Sequence, residues 1–243
     1  MKIDYNSLAE EYASYRHSDP ILIEKLVGSG VSSASKVVEI GCGSGNYISE
    51  IQKRVGCMCF GVDRAAGMIA QAKQRNPAVT YRVEPAEHLD CPESFFDLVF
   101  SVDVIHHVED RPAYFREAFR ILAPGGRLAT FTESEDTIRR RMPLTFYFPE
   151  TVEQELMRYP TVEELRRFSK EAGFEVVGQE VVERVYQLTD VESYRRKAFS
   201  CLRLISEAAF ISGIERMQRD LAKGAIRGIS RNVVLWNRKR KAN

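Results

Sequence analysis

Short β-branched apolar runs alternate along the chain with longer stretches whose apolar residues recur at helical spacing. Lys36-Val37-Val38-Glu39-Ile40 is the first run and ends at a glycine. Tyr47 to Arg54 then reads as helix and Met58 to Asp63 as a second strand. Gly67 to Gln74 reads as helix, stopped by Asn76-Pro77, and Thr80 to Val83 as a third strand. Phe96 to Ser101 is a fourth strand, apolar enough for burial on both faces. Arg111 to Leu122 reads as an amphipathic helix, with Ala113, Phe115, Ala118, Phe119 and Leu122 recurring near helical spacing. Pro124-Gly125-Gly126 is a turn, and Arg127 to Thr132 a fifth strand.

Beyond that point the pattern changes. Residues 135–160 show no clear strand, and their proline and aromatic content suggests an irregular insertion. Thr161, followed three residues later by Glu164, reads as the start of a helix that ends at Gly173. Phe174 to Val185 is strand-rich, residues 190–224 are helical, and Asn232 to Trp236 is a last strand. Strands alternating with helices predict an α/β fold. The expected layout is one Rossmann-like, seven-stranded, mostly parallel sheet with helices on both faces and helical cap insertions. A single domain would then comprise N-terminal lid helices (1–30), a core (36–134), insertions at 135–160 and 189–228, and the remaining sheet at 161–188 and 229–243. Insertions of that size usually carry binding loops or a cap.

The chain has 243 residues, with 35 Lys and Arg against 34 Asp and Glu. That composition excludes a disordered chain and a collagen-like fibre. No apolar run approaches the ~20 residues of a membrane helix. The opening Met1-Lys2-Ile3-Asp4-Tyr5-Asn6 lacks the apolar core of a secretory signal. Five irregularly spaced cysteines point to a reduced, cytoplasmic protein. The near-neutral total hides an asymmetry: from Arg195 onward there are 13 Lys and Arg against 3 Asp and Glu. Such a region reads either as solvated helix faces or as an attractor of nucleic acid, anionic lipid or acidic substrate.

The strongest local signal is Val37-Val38-Glu39-Ile40-Gly41-Cys42-Gly43-Ser44-Gly45, a strand running through a glycine loop into a helix. Glycines let the backbone turn sharply and approach a ligand closely, and the helix start offers free N–H groups. Asp63, 22 residues after Gly41, ends the next strand. A carboxylate there suits the ribose hydroxyls of an adenosine ligand. The glycines at 41, 43 and 45 do not complete the dinucleotide pattern, since position 46 is Asn. Glu39 stands beside the loop, where it would repel a pyrophosphate but tolerate an ammonium and a sulfonium. The residues therefore favour S-adenosylmethionine over NAD.

Read together, these segments resemble the class I S-adenosylmethionine-dependent methyltransferases, in particular their small-molecule branch. Val38 to Gly45 is similar to the first motif, and Gly61-Val62-Asp63 with Met68-Ile69 to the second. Pro85-Ala86-Glu87-His88-Leu89 resembles the loop after the third strand. Phe96-Asp97-Leu98-Val99 with Ile105-His106-His107-Val108 resembles the fourth strand and its sequel, and Leu122 to Leu128 the last core motif. The resemblance implies that Glu39, Gly41 and Gly43 line the methionine half of the cofactor and that Asp63 holds its ribose. It places Arg64 and Met68 beside the adenine, Ala86 and Glu87 at the adenine edge, and Val102 in the site wall. Pro85 departs from the acid or amide common at that position, and Ala65 from the usual serine, so the adenine contacts are less defined.

Tyr5 to Arg16 resembles the family's N-terminal helix that closes over the cofactor. Arg16 is then expected to pair with the methionine carboxylate, since a guanidinium suits that group. One of Tyr5, Tyr12 and Tyr15 is a candidate to hydrogen-bond the acceptor. Methyl transfer is an in-line displacement that mainly needs alignment and exclusion of water. A base helps where the acceptor must lose a proton. His106 and His107 follow the fourth strand, and the resemblance makes His107 the better catalytic candidate.

The expected activity is transfer of a methyl group to an O, N, S or C atom of a small molecule, with S-adenosylhomocysteine as product. Nucleic acid and membrane are not expected as partners, and no metal is expected. Cys57 and Cys59, two apart, are expected to face opposite ways and so not to share an ion. Cys91 does not follow the fourth strand, as the nucleophile of RNA cytosine methylation would. No N-P-P-Y or D-P-P-Y sequence follows that strand either. Arg139-Arg140-Arg141 is a solvated turn or the mouth of a site for an anionic substrate. The alternatives are an RNA methyltransferase using the basic C-terminal region, a non-catalytic adenosine-ligand-binding protein, and an NAD-dependent oxidoreductase.

Overall fold

The computed structural model describes residues 4–241. Residues 1–3 of the expected lid and opening segment, and 242–243 of the expected C-terminal sheet portion, lie outside the described residues. Seven strands are present: β1 (Lys36–Ile40), β2 (Met58–Asp63), β3 (Thr80–Val83), β4 (Phe96–Val102), β5 (Leu122–Thr132), β6 (Glu175–Leu188) and β7 (Ile226–Arg238). They form one mixed sheet in the order β3-β2-β1-β4-β5-β7-β6. β1 pairs in parallel with β2 and with β4, β2 with β3, and β4 with β5. The chain order reverses between β1 and β4, and the crevice at such a switch point is where open α/β sheets bind ligands.

Helices α1 (Tyr5–Tyr15), α2 (Pro20–Val27), α3 (Asn46–Val55), α4 (Ala66–Arg75) and α5 (Arg111–Ile121) belong to the first half of the chain. The second half holds α6 (Glu135–Arg139), α7 (Leu144–Tyr147), α8 (Thr151–Arg158), α9 (Val162–Glu171), α10 (Glu192–Arg195) and α11 (Glu207–Leu221). α1 and α2 start where Asp4 and Asp19 accept a hydrogen bond from the backbone two residues on.

The chain divides into two compact units. The larger comprises residues 4–132, 162–180 and the chain from Val234 onward. Its core gathers Val38, Ile40, Phe96, Val99, Phe115, Ile121 and Leu235, all fully buried. The smaller comprises residues 133–161 and 181–233. Leu144, Tyr147, Phe148, Tyr194, Leu202 and Met217 form its own core.

Three local readings differ from expectation. Residues 135–160 are not irregular but hold three short helices. Ser134 and Thr137 close a reciprocal cap at the start of α6, while Pro143, Pro149 and Pro160 interrupt the chain beyond it. The fifth strand begins at Leu122 rather than Arg127. Leu122 turns extended and pairs with Phe96, and the ladder slips before resuming at Leu98 with Arg127, so the Pro-Gly-Gly turn sits in a bulge. Residues 190–224 form one long helix only from Glu207, where the Ser206 side chain caps it. Lys197 takes a left-handed backbone in the preceding break.

Candidate active site

The cofactor-binding and catalytic candidates that the sequence singled out all belong to the larger unit. β1 ends at Ile40, and the loop after it runs through Gly41, Gly43 and Gly45 at φ 72°, 52° and 76°. All three lie in the left-handed region that favours glycine. The N–H groups of Gly41 and Cys42 both donate to the Val62 carbonyl, at 2.8 and 2.9 Å, which ties the loop to the end of β2. A Cβ on Gly41 would stand 2.5 Å from both methyls of Val104. Gly41→Ala is therefore expected to strain the loop twice over, in φ and in contact. It should lower the melting temperature and abolish measurable cofactor binding in calorimetry.

Asp63, the last residue of β2, spans the same loop. Its Oδ2 accepts from the Gly43 N–H at 2.9 Å and its Oδ1 from the Ala65 N–H at 2.9 Å. Burial holds its carboxyl above the ordinary range, against the downward pull of those two donors. Glu39 is 2% exposed, and its Oε2 accepts from the Ile48 N–H at 3.0 Å in the first turn of α3. Burial pushes it well above the usual carboxylate range. A carboxylate of the chain thus occupies part of the helix start, a poor seat for a pyrophosphate.

Five further sequence-predicted residues fall in four places. Arg64 and Glu87 line a cavity of about 480 Å³ with Val83, Glu84, Pro85, Glu109 and Asp110. There Arg64 pairs with Glu109 at 3.6 Å, and Glu87 Oε1 accepts from the N–H groups of Glu109 and Asp110. Met68 is buried with Ala9 and Ala65, where α1 packs on α4, and Ala86 packs against the main core. Val102 closes β4 opposite Phe131.

At the switch point, Asp103 takes a left-handed backbone, φ 54°, and its carboxylate lies 3.8 Å from the Arg16 guanidinium. Arg16 also sits over the Tyr12 ring at 5.7 Å. α1 reaches this end of the sheet in two further ways. The Gly67 N–H donates to Asn6 Oδ1 at 3.0 Å, and a 3.1 Å hydrogen bond joins Tyr5 Oη to His107 Nε2. The Tyr5 and His107 rings meet edge-on at 5.2 Å, while His106 and His107 lie 3.9 Å apart.

Residues 38–130 match the methyltransferase domain family. With the strand order and the loop held by Asp63, that match decides the assignment. The chain carries a class I S-adenosylmethionine-dependent methyltransferase domain. Over 172 residues the chain is 28% identical to phosphoethanolamine N-methyltransferase 1 of Arabidopsis thaliana, covering 68% of this chain and 33% of that relative. It is 34% identical over 104 residues to malonyl-[acyl-carrier protein] O-methyltransferase of Serratia marcescens, covering 42% and 40%. The matches thus span well under two thirds of the length of these relatives. A solved structure of Haemonchus contortus phosphoethanolamine N-methyltransferase 2, with phosphomonomethylethanolamine and S-adenosylhomocysteine, superposes with a TM-score of 0.56. That likeness is 23% identical in sequence, covers 91% of this chain and 52% of that one, and concerns the fold.

The glycine loop fits S-adenosylmethionine on internal grounds. A Cβ on Gly43 would meet no atom within 4 Å, so space lies open before the loop. Among the described residues, the buried Asn46 Oδ1 and Ser44 Oγ lack a hydrogen-bond partner. Buried polar atoms are normally satisfied, so these two call for ligand or water. Sequence reasoning missed Asn46, noted only as a departure from a glycine pattern, and Asp103. Nothing in the sequence marks the left-handed backbone of Asp103.

The expectation for Cys57 and Cys59 is corrected. Their sulfurs lie 3.3 Å apart, because residues two apart along extended chain share a face.

Proposed function

We propose that this chain is an enzyme that moves the methyl group of S-adenosylmethionine onto a nitrogen or oxygen of a small molecule. The observation that carries this reading is the Tyr5–His107 hydrogen bond, which joins the N-terminal helix to the segment after β4. It supplies a proton acceptor and a polar closure where the fold puts its ligand crevice. Bound S-adenosylmethionine supplies an electrophilic methyl on a sulfonium whose departure needs no acid. Asp63 holds the ribose, Gly41 and Gly43 admit the methionine half past Glu39, and Arg16 faces the carboxylate. Arg64, Met68, Ala86, Glu87 and Val102 line the adenine side and wall. His107 receives the proton of an N–H or O–H acceptor, and Tyr5 orients its ring. The Arabidopsis and Serratia relatives bear the names of an N- and an O-methyltransferase, in keeping with either acceptor atom.

Acceptor choice is assigned to residues 133–161 and 181–233, which the sequence inserts beside the later strands. An RNA substrate is less favoured, because the basic C-terminal region is partly neutralised. Arg195 and Arg196 pair with Glu192, Lys197 with Glu207, Lys223 with Asp220 and Arg231 with Glu183. Among the described residues no helix is long and apolar enough to cross a membrane. The five cysteines are free thiols, which accords with the reducing, cytoplasmic setting proposed here.

The test is transfer of isotope-labelled methyl to a panel of small amines, alcohols and acids, with bulk RNA as a parallel acceptor at rising salt. Labelling of RNA alone, lost steeply as salt rises, would replace this reading with the nucleic-acid one. A second expectation concerns protons. Burial holds Glu39 and Asp63 toward their neutral forms, and a cationic ligand beside them favours the charged forms. Cofactor binding is therefore expected to be linked to proton release. Calorimetry in buffers of different ionisation enthalpy measures this, with a smaller release for S-adenosylhomocysteine, which lacks the sulfonium charge.

A further inference from the structure

Cys57 and Cys59 take no part in the site described above. They sit at the start of β2, whereas Asp63 ends that strand. Four residues of strand place Cys59 roughly 13 Å from Asp63. Their sulfurs are 3.3 Å apart, against about 2.0 Å in a disulfide, so closing the gap takes little more than a rotation of the side chains. Both side chains are buried, but the residues beside them are not. Gly56 is exposed, with nothing within 4 Å of where its Cβ would be, and Met58, between the two cysteines, is 53% exposed. A small reagent therefore meets the pair beside exposed residues.

We propose that Cys57 and Cys59 form a modification site: a thiol pair that a peroxide-class oxidant closes into an intrachain disulfide. Either sulfur can donate across this contact; with Cys59 as donor the thiolate of Cys57 is favoured, and Cys57 is assigned as the attacking sulfur. Its lone pair attacks one oxygen of hydrogen peroxide, the O–O bond breaks, and hydroxide leaves, giving a sulfenic acid on Cys57. The Cys59 sulfur then attacks the Cys57 sulfur. The S–O bond breaks, the sulfenic hydroxyl leaves as water with a proton, and the S–S bond forms. Two thiols lose two electrons and two protons in all, and one peroxide becomes two waters. A dithiol reductant reverses the step by exchange.

Cleavage after Arg54 and Arg64 releases a peptide, Val55 to Arg64, that contains both cysteines and no other. The experiment treats the folded full chain with a graded excess of hydrogen peroxide, denatures it in N-ethylmaleimide, digests it with trypsin and weighs this peptide. The expected result is a peptide lighter by two hydrogens that takes up no maleimide, whatever the oxidation state of Met58, and that returns to two maleimides after dithiothreitol. In Cys57→Ser the same treatment should leave Cys59 open to maleimide. Two maleimides on the peptide at every peroxide dose would overturn the proposal, as would sulfinic acid on Cys57 without an S–S bond. Closure in the guanidine-unfolded chain but not in the folded one would also overturn it.

Discussion

Replacing His107 by alanine is expected to lower kcat by about 10²–10⁴-fold, the range that a positioned proton acceptor contributes. Cofactor affinity should stay as it was. The two effects separate because His107 belongs to the turn after β4, with its N–H bonded to the Val104 carbonyl, whereas the cofactor loop is held by Asp63 and Val62. Tyr5→Phe keeps the edge-on ring contact and loses the hydrogen bond, so it should cost roughly tenfold, the worth of one such bond. Steady-state kinetics at saturating cofactor, with calorimetry on the same variants, checks the split. Wild-type kcat in His107→Ala would remove this residue from the chemistry and leave Tyr5–His107 as a clasp for α1.

Asp63→Ala is the second large effect and acts on binding. The carboxylate does two jobs, accepting the Gly43 and Ala65 N–H groups and presenting its remaining lone pairs to the ribose hydroxyls. Truncation abandons the sugar and frees the glycine loop at once. Charge-assisted bonds of this kind and the donors they leave behind are worth a few kcal/mol together. Affinity for S-adenosylmethionine should therefore fall by about 2–4 kcal/mol, or roughly 30- to 1,000-fold. Calorimetry on the folded variant, with circular dichroism to confirm the fold, measures it. An unchanged dissociation constant would mean that the loop grips its ligand without the acid, against the assignment of Asp63.

How much of this was legible in the sequence depended on where each signal was local. The glycine loop and Asp63 stood out because φ above zero and a strand-terminal acid each leave a residue-type trace. β1 and β4 were readable because buried parallel strands concentrate apolar and β-branched residues. The start of β5 was not, because Leu122 leaves α5 directly into the sheet and the bulge at Gly125-Gly126 imitates a simple turn. The short helices between Glu135 and Arg158 were hidden by the prolines that separate them. The sulfur pair was misread through a wrong face rule rather than a weak signal. Asp103 and the Tyr5–His107 contact join segments far apart in sequence, 102 residues in the latter case, and a single sequence holds no mark of such a meeting.

Gly67 has a consequence for turnover. A Cβ there would press to 2.8 Å from the Asn6 carbonyl oxygen, so α1 lies against α4 only because this residue has no side chain. In the proposed enzyme α1 is the helix expected to close over the cofactor. Position 67 then acts as a dial on residence time: any bulkier residue would hasten product escape and weaken the shield that keeps solvent from the transferring methyl.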